Sequence, residues 1–221
     1  MDSPLFEVTT PAADAAARRL TTAAKVRALI GSPSDDDAKL EAIIDGVSAE
    51  CARYCNLARP ANMASPPTFA EEVVKATWLK TCERRTSILI LPWRVAISGF
   101  GQVVEDGVNL TVNVDYQLIG GGMLERLRGD SPAGWSSGKI IVPYTAGWVL
   151  PAGVSAELES QVIKQVSLGY YGADRDPGLR SDSTEGVGAE TYAVIGGDSI
   201  GESGFLKSLE TVLASYRSWL V

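Results

Sequence analysis

Histidine is missing altogether from the 221 residues. Its absence removes the side chain that most often serves as general base, and with it the Ser-His-Asp and Cys-His arrangements and the commonest metal ligand. Cysteine is scarce. Cys51, Cys55 and Cys82 are too few for a disulfide framework and fit a reducing compartment. Long apolar runs are lacking too, since nothing approaches the roughly 20 residues that span a bilayer. The start, MDSPLFEVTT, has neither the basic nor the apolar stretch of a secretory signal. The expected setting is therefore the cytosol, or a particle assembled there. Basic residues are outnumbered, 20 Lys and Arg against 27 Asp and Glu, for a net charge of −7. Duplex binding through a basic face is not expected of such a chain, although DNA passing nearby without sticking is compatible with it. What remains is 45% hydrophobic and 21% charged, the composition of an ordinary globular protein with one sizeable core or two small ones.

The strongest pattern lies between Leu150 and Tyr171, PAGVSAELESQVIKQVSLGYY. At 3.6 residues per turn, Val154, Leu158, Val162, Val166 and Tyr170 follow one side of a helix. Pro151 stands just ahead of or within the first turn, where its missing N–H costs nothing. Leu168 and Tyr171 fall on the otherwise polar side, which leaves that side sticky.

Ahead of this helix, residues 1–20 read as an arm in which Leu5, Phe6 and Val8 can form a short strand stopped by Pro11. Thr22 caps a helix from Ala23 to Ile30, with Val26, Leu29 and Ile30 on one side and Gly31 as its stop. Ser34 or Asp35 opens the next helix, its first-turn aspartates favoured by the helix dipole. There Leu40, Ile43, Ile44, Val47, Cys51, Tyr54 and Cys55 keep helical spacing. The two make a helical hairpin. Residues 68–78 read as a strand, with Phe69, Val73 and Thr77 on one face, though Thr68 and Glu71 also fit a capping box.

From Ser87 the pattern is β. Ile88 to Leu91 is a short buried run, and Asp106-Gly107 signals a two-residue hairpin turn. Leu110, Val112 and Val114 alternate as a strand face, and Gly120 to Gly122 make a turn. Gly138 to Tyr144 closes an antiparallel meander of five or six strands. Residues 181–192 can be an extended arm or a hairpin around Gly186. Last, a helix starting at Ser203 repeats Phe205, Leu206, Leu209, Val212, Leu213, Tyr216, Trp219 and Leu220 at helical spacing. So apolar a face folds back on its own core or docks on another subunit. The fold class is α+β: a helical hairpin, a long helix and a C-terminal helix, with an inserted antiparallel sheet. The divisions are 1–20, 21–67, 68–148, 149–173, 174–202 and 203–221.

Little in the chain points to chemistry. Cys51 and Cys55 stand one helical turn apart, but with no histidine a closed zinc site lacks ligands. The glycine triplet enters a strand and no helix, so it is not a phosphate loop. Glu105 and Asp106 read as solvated turn residues. Arg84-Arg85 and the Arg126/Arg128 pair read as solvated or inter-subunit residues. Trp93, Trp135 and Trp148 read as buried sheet aromatics, with a sugar-stacking platform as the other reading. No catalytic residue, metal or cofactor is expected, and the chain is not read as an enzyme.

The order of pieces carries more: LTTAAKVRALIG, then DDDAKLEAIIDGVSAECARYC, then LILPWRVAI and VVEDGVNL, then IIVPYTAGW running into LPAGVSAELESQVIKQVSLGYYGADRD, then LRSDSTEGVGAETYAV and LETVLASYRSWL. This succession resembles the head–tail connector, or adaptor, proteins of tailed bacteriophages and gene transfer agents, over nearly all the chain from about Leu20. The resemblance implies a ring, typically twelve-fold, beneath the portal of a DNA-filled head. Its partners would be the portal protein on one side and stopper or tail-terminator proteins on the other, with DNA passing through the lumen and no membrane. The expected location is the virion neck, after synthesis in the host cytoplasm. The portal-docking residues implied are Phe205, Leu206, Leu209, Val212, Leu213, Tyr216, Arg217 and Trp219, and the ring-interface residues Lys164, Leu168 and Tyr171. Truncation at about Gly201 is then expected to leave a folded chain that no longer joins the portal. Two other readings stand beside this one: a neck or tail-completion protein on the tail side, and a β-rich carbohydrate-binding or decoration module.

Overall fold

The computed structural model describes residues 4–31, 33, 36–57, 61–79, 86–92, 97–120, 122–173, 181–184, 188–191 and 204–217. These form an α+β fold around two hydrophobic clusters, one helical and one β.

The helical cluster is built from α1 (Ala23–Ile30), α2 (Asp37–Tyr54), α3 (Ala156–Gly172) and α4 (Lys207–Ala214). Thr22 caps α1 by accepting from the Lys25 N–H, and Gly31 ends it in the left-handed region at φ 69°, a conformation glycine adopts without steric cost. Of the three apolar residues assigned to one side of α1, only Val26 is sealed; Leu29 is 66% exposed. The spacing read along α2 holds, with Leu40, Ile44, Cys51 and Cys55 fully buried and Ile43 and Tyr54 packed at the edge of the cluster. α3 begins later than the sequence pattern predicts. Ser155 is its cap, accepting from the Leu158 N–H, and Glu157 and Glu159 occupy the first turn, where negative charge is favoured. Pro151 lies in the turn before the cap. Leu158, Val162 and Val166 are sealed against α2.

The β part comprises β1 (Leu5–Thr10), β2 (Glu72–Trp78), β3 (Ile88–Ile90), β4 (Ile97–Phe100), β5 (Val104–Glu105), β6 (Val108–Asn109), β7 (Tyr116–Ile119), β8 (Met123–Arg128), β9 (Ser131–Pro132) and β10 (Ile140–Ala146). A six-stranded sheet runs β1-β2-β10-β5-β6, with β4 also on β10, and a four-stranded sheet runs β3-β8-β7, with β9 on β8. All the strand pairings are antiparallel. The segment read as strand near residue 70 is β2. Thr68 accepts from the Ala70 N–H and caps no helix. The short strand within the N-terminal arm is β1, an edge strand whose Phe6 and Val8 are buried. Its outer backbone groups are occupied, with Phe6 O accepting from Ala61 N and Val8 bonded through both N and O to Asn62. An edge covered in this way offers no template for further strands.

Asp106-Gly107 makes the predicted turn between β5 and β6, with φ of 50° and 82°. The strand expected over 110–114 is instead a tight loop. Asp115 folds it by accepting from the Thr111 N–H, Asn113 takes φ 61°, and the Asp115 N–H donates to Thr111 O at 2.8 Å. A short hairpin, β11 (Ser181–Thr184) with β12 (Gly188–Thr191), forms a separate two-stranded sheet; Gly186 lies outside the described residues.

Candidate functional site

The surfaces open to a partner are those that remain after the chain's own cores are closed. The helical cluster closes with α4, which starts at Lys207, later than the predicted Ser203. Phe205 and Leu206 are 3% and 2% exposed, and Leu209 and Leu213 are not exposed at all. Val212 and Tyr216 pack on the same cluster. Polar contacts fix the seat: the Leu206 N–H donates to Gln165 Oε1 at 2.9 Å, and the Ser208 hydroxyl to Gln161 Oε1 at 2.8 Å. The apolar face assigned to portal docking is therefore covered by the chain's own α2 and α3. Arg217, from the same set, is exposed, with its guanidinium 5.7 Å from the Tyr54 ring centre. Trp219 lies outside the described residues. This seat bears on the expected effect of truncation, because cutting at Gly201 strips four sealed side chains from the core.

Where α4 ends, the two cores meet. Phe69 and Trp148 stack with ring centres 5.3 Å apart, and Tyr216 stands edge-on to both. The Tyr216 hydroxyl is 3.1 Å from Ser155 Oγ, the cap of α3. Backbone bonds tie the same point, from Trp148 N to Phe69 O and from Glu71 N to Trp148 O. Gly147 sits beside it at φ 116°, and a Cβ there would lie 2.1 Å from Ala70 O.

Of the residues expected at a ring interface, Lys164 is exposed on α3 and Tyr171 is 41% exposed, its hydroxyl donating to Ile30 O. Leu168 is half-buried against the helical core. Beside Lys164 an open groove of about 430 Å³ runs between α1 and α3, lined by Ala28, Leu29, Ala156 and Ile163. Lys25 spans its wall, donating to both Glu159 carboxylate oxygens at 2.7 Å. On the β part, Val108, Val112, Val114 and Leu118 are between 46% and 63% exposed. The alternation in this stretch gave a periodicity but not which residues face inward.

Residues suspected of chemistry are structural where they are described. Glu105 is buried, accepting from the Ser136 N–H at 2.6 Å and from Arg126 Nε at 2.8 Å; it is not a solvated turn residue. Arg126 also donates to the Asp115 and Leu127 carbonyls and lies over the Trp135 ring at 5.9 Å. This pins β8 of one sheet to β5 of the other. Trp135 is 2% exposed, so it offers no stacking platform; Trp93, Arg84, Arg85 and Cys82 lie outside the described residues. Cys51 and Cys55 are free and buried. Burial pushes both thiols up, Cys55 to about 12. Among the described residues no group of three or more His, Cys, Asp or Glu side chains is placed to hold a metal ion, and no helix is long and apolar enough to cross a membrane. Sequence reasoning missed Glu72, 2% exposed, whose carboxylate accepts from the Ala12 N–H and the Ser65 hydroxyl.

No protein-family model matches the sequence, and no curated protein matches it. Solved structures do. One is a chain from the neck of an empty gene transfer agent (GTA) particle computed with C6 symmetry, 15% identical, with a TM-score of 0.52 over 98% of this chain and 96% of that one. A second comes from the neck of a native GTA particle computed with C12 symmetry, 12% identical, with a TM-score of 0.53 and the same coverage. A third comes from the virion of a native GTA particle, 15% identical, with a TM-score of 0.52 over 98% and 97% of the two chains. From one end to the other, the chain has the fold of a protein found in the neck of gene transfer agent particles.

Proposed function

We propose that the chain is a structural, non-enzymatic subunit of the neck of a phage-like particle: an adaptor whose copies form a ring beneath the portal, join the head to the tail and surround the DNA channel. The observation that carries this reading is the end-to-end likeness to neck chains, over 98% of this sequence, in particles treated with six-fold and twelve-fold symmetry. A net charge of −7 supports it, because a conduit wall should not grip phosphates. A ring of twelve subunits suits the C12 symmetry of the native neck.

Docking on the portal falls to the end of the chain. Leu209 and Leu213 anchor α4 in its own core, while Arg217 and Trp219, later in the sequence, make the portal contact. Stopper or tail-terminator proteins take the opposite face. The test is electron microscopy of the full-length protein with and without purified portal rings. Rings of this chain seated on the tail-facing side of the portal are expected, and an Arg217→Glu/Trp219→Ala variant should stay folded but lose that seating. Rings that seat only on tail-side components would overturn the adaptor placement in favour of a tail-completion role.

A further inference from the structure

A closed ring of more than two subunits makes a demand on each of them: the patch that leads and the patch that follows must be different surfaces. Among the described residues, exposed apolar side chains gather on each core. The first set lies on the β part. Between Val108 and Leu118, Leu110 and Tyr116 turn inward while Val108, Val112, Val114 and Leu118 point out, at 63%, 54%, 59% and 46% exposure. The Asp115–Thr111 hydrogen bonds hold this loop in shape without a partner. The second lines the groove between α1 and α3, where Leu29 is 66% exposed.

The charges left over after pairing differ in sign. Residues 108–118 contain one charge, Asp115, which stands 3.7 Å from Arg126 Nη1, and exposed Asp106 comes just before them. In the groove Lys25 is paired with Glu159 at 2.7 Å, which leaves exposed Lys164. Lys164 also belongs to the face of α3 that the ring reading uses. Exposed valines beside Asp106 and an apolar groove beside Lys164, both on one chain, are what a head-to-tail contact needs.

We propose that the valine-bearing loop of one subunit seats in the α1/α3 groove of the next copy, and that this contact closes the ring. The proposal rests on the ring reading above and assigns its interface.

The test is cysteine cross-linking of full-length protein in a Cys82→Ser background, where the buried Cys51 and Cys55 do not compete. With Leu29→Cys and Val112→Cys in the same chain, mild oxidation should give a ladder rising by one subunit to the size of the closed ring. Either substitution alone should give monomers, and an equal mixture of the two single variants should stop at dimers. Val112→Asp should abolish rings with no loss of thermal stability, because that side chain is exposed. Rings visible by electron microscopy, alone or on portal, that yield no ladder would overturn this interface and leave the ring reading standing. Dimers from Leu29→Cys or Val112→Cys alone would show a two-fold contact and overturn the proposal. Absence of rings under both conditions would overturn the ring reading and this interface together.

Discussion

Arg126 and Glu105 hold the two sheets together, with side chains 19% and 11% exposed. Removing one charge of a wholly buried pair costs about 3–5 kcal/mol because the other is left stranded. Both side chains here keep some water, so Arg126→Ala should cost about 2 kcal/mol, read as a lower urea midpoint. Gly147→Ala should be at least as severe, since its Cβ would overlap Ala70 O and L-residues resist φ 116°; a thermal melt of the variant checks this. The Cys55 thiol offers a pH test. Its value is raised in the folded protein from 9.0 to about 12, so folding favours the neutral form. The stabilisation is whole below about pH 9 and is lost as pH climbs from there through about 12. Accordingly, Cys55→Ala should flatten the alkaline fall in stability, and thiol reagents at pH 8 should leave native Cys51 and Cys55 unmodified. The structural role of Glu105 was not legible in the sequence. Its partner lies 21 positions away on another sheet, while its neighbour Asp106 marks an ordinary turn.

α4 shows what periodicity can and cannot reveal about an element. The spacing of Leu206, Leu209 and Leu213 identifies an apolar face but not whose surface covers it. The cover is α2 and α3, with Leu213 O accepting from the Cys55 thiol across 158 positions. Leu209→Ala should therefore cost about 2–5 kcal/mol. Deleting residues 202–221 removes four sealed side chains, a loss comparable with the roughly 5–15 kcal/mol that holds a domain together. That truncated chain should aggregate or lose its cooperative melt by circular dichroism; a sharp unfolding transition would show that α4 is dispensable. The helices of the hairpin were legible because Thr22, Gly31 and the α2 stripe all act locally. The loop at 111–115 was not, because alternating valines satisfy a strand pattern as well as they decorate a turn folded by Asp115 and Asn113.

At the scale of the whole molecule, the order of elements was the informative signal, and it survives in structures only 12–15% identical. The α+β class was legible, whereas the joining of β1, from ahead of α1, to the main sheet and the partition of the strands into two sheets were not, since they depend on pairings such as β1 with β2 and β10 with β2 that join distant segments. With its net charge of −7, the isolated protein should not retard duplex DNA in a gel at low salt; a shift that fades as salt rises would reveal a basic face. The aromatic junction of Phe69, Trp148 and Tyr216 has a mechanical consequence. The Tyr216 ring bears at once on the margin of a sheet and, through Ser155, on the start of α3. Force on the last turn of α4 is thus shared between both halves of the molecule instead of falling on one helix alone.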